Sequence, residues 1–291
     1  MEYVNKEALV TTEWLARHLS APDVRVVDAS WYLPTLKRDA KAEYAKQHIP
    51  GAVFFDIDDI ADTSNSLPHM LPSAEKFAAR VRKMGLGDGN RIIVYDGGVM
   101  ASAARVWWTF RVFGHDDVAV LDGGFRKWLK EGRAIESDKP MPRERHFTPR
   151  FNHALVRDLE EVKRNIASAS EQVLDARSRG RFAGTEPEPR AGLRGGHIPR
   201  SLNLPYELLI DAASGTMRPA DALARLFKES GVDMRRPVVT SCGSGVTASL
   251  LALGLFLVGH EDVAVYDGSW SEWGARSDTP IEAGAAAGAA S

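Results

Sequence analysis

Residues 238–247 read VVTSCGSGVT and hold the only cysteine, Cys242, of the 291-residue chain. The β-branched residues that open this stretch favour a buried strand, and its two glycines permit a tight loop. Residues 247–257, TASLLALGLFL, are apolar on nearly every side, which is typical of a buried helix. The pattern therefore predicts a strand, a tight loop that carries Cys242, and a helix, which together form a building unit of α/β folds.

The predicted loop favours an anion at Cys242. Backbone N–H groups converge in such a loop, and the positive end of the helix dipole adds to their effect. Both contributions favour a thiolate, so Cys242 is a candidate nucleophile. The residues that would cradle its sulfur are Gly243, Ser244, Gly245, Val246 and Thr247. A lone cysteine can instead be a small buried hydrophobic residue, but the glycines and hydroxyl groups around this one argue for reactivity.

The chain contains an internal repeat. The segment GHDDVAVLDG at residues 114–123 returns as GHEDVAVYDG at 259–268, an offset of 259 − 114 = 145 that persists to Trp128 and Trp273. Two shorter pairs follow the same order: Asp28-Ala29 with Asp175-Ala176, and His48-Ile49-Pro50 with His197-Ile198-Pro199. The two halves therefore derive from a tandem duplication.

The duplication predicts two domains, residues 8–135 and 153–280. A segment rich in proline and charge at 136–152 separates them as a linker, and the Ala/Gly-rich tail at 281–291 is expected to be disordered. Each half alternates strands and helices, so the expected fold is α/β, with a parallel sheet flanked by helices on both faces in each domain. Ligands bind such sheets at the carboxyl ends of their strands, where Cys242 is expected.

The first copy has no counterpart of the nucleophile. Its matching segment is DGGVMAS at residues 96–102, which contains no cysteine in either of two alignments that differ by one residue. The first copy is therefore either purely structural or one wall of a cleft that faces Cys242.

Composition excludes several classes of function. Charged residues make up 26% and hydrophobic residues 44%, as in ordinary globular proteins. The net charge of −2 provides no electrostatic case for nucleic acid or a membrane surface as a partner. The longest apolar run, residues 250–258, is far below the ~20 residues that span a bilayer.

The same inspection predicts no cofactor, no metal and a cytoplasmic location. There is no His-Glu-x-x-His motif, no second cysteine for zinc and no phosphate loop that ends in Gly-Lys-Ser/Thr. A single cysteine cannot form an internal disulfide, which fits a reducing compartment. The acidic N-terminal residues are typical of neither a secretory signal nor a transit peptide.

Two further segments resemble the signatures of the rhodanese superfamily. Residues 44–55, with Tyr44 and the HIPGA run that starts at His48, are similar to the first signature. Residues 263–273, with YDG at 266–268 and Trp270, are similar to the second. The resemblance covers nearly the whole chain and implies two tandem rhodanese-like domains.

The cysteine loop resembles the 3-mercaptopyruvate branch of this superfamily. Thiosulfate-using members typically carry basic residues where Gly243 and Ser244 stand here, and phosphatases of this fold close a longer loop with arginine, whereas the next arginine here is Arg276. The resemblance implies that sulfur passes from 3-mercaptopyruvate, through a persulfide on Cys242, to a thiol such as thioredoxin or to cyanide, with release of pyruvate. The alternatives are a thiosulfate sulfurtransferase and a non-enzymatic persulfide carrier.

The resemblance also implies roles for three polar residues. Ser244 would relay a proton to the departing pyruvate enolate, or else only stabilise the turn. Asp58 would complete a relay with Ser244 and Cys242, and His69 would lie in the substrate pocket. From the residues alone, Asp58 equally suits a cap and His69 a structural hydrogen-bond donor. His48 and His197 occur in both copies and are expected to be structural.

Arg181 and Arg190 flank a segment rich in proline and glycine at 182–189, which is expected to be an irregular loop. Guanidinium groups bind carboxylates in bidentate fashion, and the resemblance implies that this pair clamps the carboxylate of an α-keto acid. The alternative pairs both arginines with Glu186 and Glu188 at the surface, where ion pairs contribute roughly 0–1 kcal/mol. The remaining nearby arginines, Arg177, Arg179 and Arg194, are expected to be ordinary surface or interface charges.

Overall fold

The structure is a computed structural model that describes residues 2–285. It contains two five-stranded parallel sheets with the same strand order. The first sheet is ordered β1-β5-β4-β2-β3, from β1 (Leu9–Val10), β2 (Val24–Asp28), β3 (Val53–Phe54), β4 (Arg91–Tyr95) and β5 (Val118–Leu121). The second is ordered β6-β10-β9-β7-β8, from β6 (Val156–Arg157), β7 (Gln172–Asp175), β8 (Leu202–Asn203), β9 (Val238–Ser241) and β10 (Val263–Tyr266). The shared order confirms the duplication.

The helices alternate with the strands in both repeats. The first repeat has α1 (Thr12–His18), α2 (Ala40–Lys46), α3 (Ala74–Lys83), α4 (Ala101–Val112) and α5 (Gly124–Lys130). The second has α6 (Leu159–Ser168), α7 (Arg179–Ala183), α8 (Ala220–Glu229), α9 (Val246–Leu257) and α10 (Ser269–Trp273). Local sequence explains several ends: α6, for example, starts with a capping box in which Asp158 and Glu161 each bind the other's backbone N–H.

Each sheet is covered on both faces, as the sequence predicts. Side chains alternate along the strands, so that in β4 Ile92 and Val94 join one apolar cluster while Ile93 and Tyr95 join another. The cluster on the inner faces includes residues of both repeats, so the two domains share one core. None of the helices in residues 2–285 combines the length and the apolar character that a membrane crossing needs.

The shared core explains why α9 is apolar on nearly every side. It packs against its own sheet on one side and against α4 of the first repeat on another. Aromatic and cationic side chains complete the contact: the rings of Trp107 and Phe256 lie 5.6 Å apart, and the Arg111 guanidinium lies 4.0 Å from the centre of the Phe256 ring. A helix buried between two domains has no solvent-facing side for polar residues.

The segment 136–152 contains no helix or strand, as expected of a linker, but it is packed on the first repeat. Glu136 exchanges two backbone hydrogen bonds with His48, at 2.9 and 3.0 Å. Phe147 is fully buried, and its carbonyl accepts two hydrogen bonds from Arg82. The linker therefore has a defined path along the first domain.

The start of the expected disordered tail is also paired. Glu282 exchanges backbone hydrogen bonds of 2.8 and 3.0 Å with His197, and the Gly284 N–H donates to Ala183. This part of the expectation is wrong, because the contacts attach residues 281–284 to the second repeat. Residues 286–291, the remainder of the predicted tail, lie outside the described residues.

Candidate active site at the Cys242 loop

Cys242 directly follows β9, at the carboxyl end of a central strand, and α9 begins four residues later. Its backbone is held by the start of α10: the Cys242 N–H donates to Ser269 Oγ at 3.2 Å, and the Cys242 carbonyl accepts the Trp270 N–H at 2.9 Å. The Gly243 carbonyl is bound at 2.8 and 2.6 Å by the backbone and hydroxyl of Ser271. These bonds fix the loop backbone and hold its carbonyl groups in place.

The N–H groups of the loop remain uncommitted. Among residues 2–285, none of the N–H groups of residues 243–247 donates a hydrogen bond to another protein group. Gly245 ends the loop as the residue before α9, with φ of +79°, a conformation that favours glycine. The loop therefore presents free donors at the positive end of a buried helix, which is the arrangement that the sequence predicts for an anion.

The first repeat shows how such a loop holds an anion. Asp96 follows β4 as Cys242 follows β9, and its buried carboxylate accepts four hydrogen bonds of 2.8 to 3.1 Å. The donors are the N–H groups of Gly98, Met100 and Ala103 and the hydroxyl of Ser102. This loop spans residues 96–100, one residue more than 242–245, which explains the ambiguous alignment. An aspartate carboxylate thus occupies the place of the thiol.

The side chain of Cys242 is more buried than a loop position suggests. The residue is 2% exposed and contacts the apolar core, so the hydrophobic alternative describes one side of its environment. The other side is charged, because the Arg190 guanidinium interacts electrostatically with Cys242. Burial lowers the pKa of Arg190, and the negative charge of the Cys242 thiolate opposes that effect. The thiol therefore lies between the core and a partly desolvated cation.

Arg181 lies in α7, which ends at Ala183, so the prediction of an irregular loop at 182–189 is wrong for its first two residues, while 184–189 contain no helix or strand. Ser178 caps α7 by accepting the Arg181 N–H, and the turn of helix directs the guanidinium toward the cysteine loop. A Cβ placed on Gly243 would lie 3.1 Å from Arg181 Nη2. Arg181 also binds Glu188 at 2.6 Å, but the Glu188 side chain is only 3% exposed. The Glu188 end of the pair is therefore buried, and the Arg181 end is partly buried rather than fully solvated.

Arg177 is buried within the second repeat, so the expectation of an ordinary surface or interface charge is wrong. It is 1% exposed and forms ion pairs of 2.6 Å with Asp175 and 2.7 Å with Glu188. Its guanidinium also stacks over Trp270 at 4.1 Å from the ring centre. Arg177 thus connects the end of β7 with the carboxylate that orients Arg181.

Arg190 has a different environment. Its Nη2 lies 3.3 Å from Ser244 Oγ and 3.4 Å from His69 Nε2. In the described part of the chain, no carboxylate oxygen lies within 4.0 Å of this guanidinium. A half-buried arginine without a carboxylate partner has full capacity to bind an anionic ligand.

The first repeat reaches this site through His69 and Asp58. His69 Nδ1 lies 2.9 Å from Asp58 Oδ1, and this contact holds the pKa of Asp58 below its usual range. Trp31 donates its indole N–H to the other Asp58 oxygen at 3.0 Å, and its ring packs edge-on against His69. The structure therefore favours the cleft-wall role of the first copy over a purely structural one.

Comparison with known proteins agrees with this architecture. A family model described as a rhodanese-like domain matches the chain twice, at residues 11–131 and 158–276. The chain belongs to the rhodanese family. Its first rhodanese domain carries Asp58 and His69, and its second carries the cysteine loop and both arginines.

Relatives of this rhodanese protein include users of both sulfur donors. The 3-mercaptopyruvate sulfurtransferase of Homo sapiens is 44% identical over 276 residues, and the thiosulfate sulfurtransferase of Rattus norvegicus is 44% identical over 277 residues. Each alignment covers 93% of this chain and 93% of the relative. The crystal structure of the Escherichia coli 3-mercaptopyruvate sulfotransferase SseA matches with a TM-score of 0.83 at 38% identity, over 91% of this chain and 99% of that one.

Sequence reasoning missed several residues around the rhodanese site. Trp31, Arg105 and Glu188 all contact residues that it did single out. Glu188 was considered only as a solvated partner, and nothing in the local pattern distinguishes Trp31 or Arg105 from other residues of their segments. Their contacts join positions far apart in the chain, so local periodicity contains no signal for them.

Proposed function

We propose that this rhodanese protein moves sulfur from 3-mercaptopyruvate, through a persulfide on Cys242, to an acceptor thiol such as reduced thioredoxin or to cyanide, with release of pyruvate. One observation carries the proposal: the guanidinium groups of Arg181 and Arg190 both lie beside Gly243, the residue that follows the nucleophile. A donor held there by its carboxylate would present its sulfur to Cys242. The sulfurtransferase names of the relatives support the same reaction class.

Arg190 is best suited to bind the donor carboxylate. It has no carboxylate of its own in the described chain, and two parallel N–H···O bonds match the geometry of a carboxylate. Arg181 shares its charge with Glu188, so it supplies a second cation whose orientation is already fixed. Together they would hold an α-keto acid between the cysteine loop and His69.

The chemical step balances without an external oxidant. The Cys242 thiolate attacks the donor sulfur, a sulfur–sulfur bond forms, and the carbon–sulfur bond breaks with its electron pair left on the pyruvate enolate. The proton of the donor thiol is then needed at the enolate carbon. The products are pyruvate and a persulfide anion, which the free N–H groups of residues 243–247 would stabilise as they would the thiolate.

Ser244 and the Asp58–His69 pair would manage the proton. Ser244 Oγ lies beside Arg190, at the place where the clamp would hold the donor. His69 faces a carboxylate at Nδ1 and a guanidinium at Nε2. Asp58 would therefore act by orienting His69, and Ser244 would relay the proton to carbon.

A turnover assay tests this function. The purified protein is supplied with 3-mercaptopyruvate or thiosulfate in parallel, with cyanide as acceptor, and pyruvate and thiocyanate are measured. We expect many turnovers per chain with 3-mercaptopyruvate and fewer with thiosulfate. Faster turnover of thiosulfate would show that thiosulfate is the preferred donor. Release of at most one pyruvate per chain would indicate a persulfide carrier rather than an enzyme.

We further propose that the protein works in the cytoplasm. Its single cysteine is free, and a persulfide on that residue is compatible with a compartment that keeps thiols reduced. Cell fractionation tests the location, and recovery of the protein with mitochondria would contradict it.

A further inference from the structure

Two buried carboxylates join the domains at equivalent places. Asp122 follows β5 and Asp267 follows β10, with an offset of 267 − 122 = 145 residues. Each accepts a backbone N–H from the opposite repeat at 2.8 Å: Asp122 from Met217, and Asp267 from Leu71. The interface therefore has two matching joints, one beside the Asp96 loop and one beside the Cys242 loop.

Within residues 2–285, an arginine binds the carboxylate only at the joint beside Cys242. Arg105, from α4 of the first repeat, binds Asp267 at 2.6 Å, and their side chains are 3% and 6% exposed. The position equivalent to Arg105 in α9 is Leu250, since 105 + 145 = 250. The duplication has therefore produced one joint with an arginine–carboxylate ion pair and one without, and the joint with the ion pair lies at the proposed active site.

Arg105 touches the site at two further points. Its Nη2 also donates to the carbonyl of His69, a residue with φ of +62°. Its Nη1 is buried without a hydrogen-bond partner, and a Cβ placed on Gly245 would lie 2.6 Å from it. One guanidinium thus contacts the backbone of His69, the carboxylate of Asp267 and the end of the cysteine loop.

We propose that Arg105 is a positioning residue, which sets the backbone of His69 against the Cys242 loop across the domain interface. The proposal rests on the proposed function, because it assigns to Arg105 the placement of His69 relative to the bound donor. A non-glycine residue with positive φ needs a support that holds it, and the Arg105 hydrogen bond is such a support. The ion pair with Asp267 keeps the guanidinium from turning away.

The test must separate positioning from simple stabilisation. Removing one member of a buried ion pair leaves the other charge unpaired, which destabilises the fold whatever the pair does for catalysis. The double variant Arg105→Met with Asp267→Asn removes both charges and keeps an acceptor for Leu71. We expect the thermal midpoint of the double variant to lie close to that of the wild type, unlike that of a variant that loses only one member of the pair.

The double variant should remain impaired in catalysis although its stability is close to that of the wild type. Since displacement of an active-site group by about 1 Å can reduce rates on the order of 10²-fold, we expect the double variant to lose kcat by roughly that factor. Its KM for 3-mercaptopyruvate should stay within about three-fold, because both clamp arginines remain. A wild-type kcat in the stable double variant would overturn the proposal.

Two variants complete the experiment. Asp122→Asn alters the matching joint and keeps its acceptor, so its kcat should equal that of the wild type. Arg105→Lys keeps a charge for Asp267 but lacks the planar guanidinium whose Nη1 lies beside Gly245, so its kcat should fall even if the double variant fails to fold; an unchanged kcat contradicts the proposal. If the wild type itself released no pyruvate, the proposed function would fail instead.

Discussion

At the scale of single residues, the environment of Cys242 is set by neighbouring donors that have no other partner. The N–H groups after it have no partner in the described chain, and the nearest free cation, Arg190, has no carboxylate. Both features stabilise negative charge on sulfur, before and after it receives a second sulfur atom. A buried cysteine in a purely apolar niche would have neither.

Replacement of Cys242 by serine should abolish the reaction. Serine retains the size and the backbone hydrogen bonds of the loop, but its hydroxyl is a poor nucleophile toward sulfur. We expect no persulfide in the mass spectrum of the Cys242→Ser variant after incubation with 3-mercaptopyruvate, and no release of pyruvate. Pyruvate formation at the wild-type rate in that variant would disprove the covalent mechanism.

Arg190→Ala should weaken donor binding without much loss of stability. A hydrogen-bonded ion pair contributes about 1.5–3 kcal/mol, so the KM for 3-mercaptopyruvate should rise roughly 10- to 100-fold. Folding should change little, because Arg190 has no carboxylate partner in the described chain that would be left unpaired. Steady-state kinetics and thermal unfolding measure the two effects.

The neighbouring arginines provide controls for that experiment. Arg179→Ala changes an exposed residue of the same region and should alter neither quantity. Arg181→Ala should raise KM and also lower stability, because the buried Glu188 carboxylate then keeps only Arg177 as a partner. Wild-type kinetics in all three variants would show that Arg181 and Arg190 do not bind the donor and have only a structural role.

At the scale of elements, the two strand–loop–helix units show one backbone arrangement with two anions. In the first repeat the donors are already used, since the Asp96 carboxylate receives four hydrogen bonds within the protein. In the second repeat the corresponding donors are left for the sulfur of Cys242. The side chain of Asp96 thus occupies the donors of the first loop, whereas the donors of the second loop remain available to a reacting group.

Asp96→Ala should therefore destabilise the first domain. Four buried or partly buried donors would lose their acceptor, and each unsatisfied buried group costs about 1–3 kcal/mol. We expect the free energy of unfolding, measured with urea, to decrease by several kcal/mol in Asp96→Ala. The value for Asp96→Asn should lie between those of Asp96→Ala and the wild type. A change below about 0.5 kcal/mol, the size of an ordinary surface substitution, would contradict this interpretation of the first loop.

At the scale of the whole molecule, the two domains share one core and are joined by buried polar contacts. In the described part of the chain no arginine pairs with Asp122, and burial raises the pKa of this carboxyl from 3.8 to about 6. The folded state thus binds the proton more tightly than the unfolded chain, so ionisation of Asp122 lowers stability. The loss begins above pH 4 and is complete above about pH 6.

Asp122→Asn should stabilise the protein at neutral pH. A difference of about two pKa units corresponds to roughly 3 kcal/mol, and partial access of water reduces the expected gain to about 1–3 kcal/mol. Below about pH 4 the gain should vanish, because the wild-type carboxyl is then protonated in both states. Urea unfolding of both proteins between pH 4 and pH 8 measures this, and a gain independent of pH would contradict the assignment.

Local pattern predicted much of the fold. Helical periodicity placed α9 at 247–257, one residue from its observed start and at its observed end. The irregular segment predicted at 182–189 was wrong for residues 182–183, because one turn of helix capped by Ser178 needs no apolar periodicity. The tail boundary was wrong because Glu282 is held by a backbone pairing with His197, which its composition does not reveal.

The sequence by itself therefore determined the duplication, the strand–loop–helix units and the cysteine at the carboxyl end of a central strand, because each depends on residues close together in the chain. Only the tertiary structure decided which charges meet. Arg105 binds Asp267 across 162 positions, and His69 meets Arg190 across 121. Such pairs form only after two sheets pack through a shared core, since burial then makes an unpaired charge far more costly than it is in the unfolded chain.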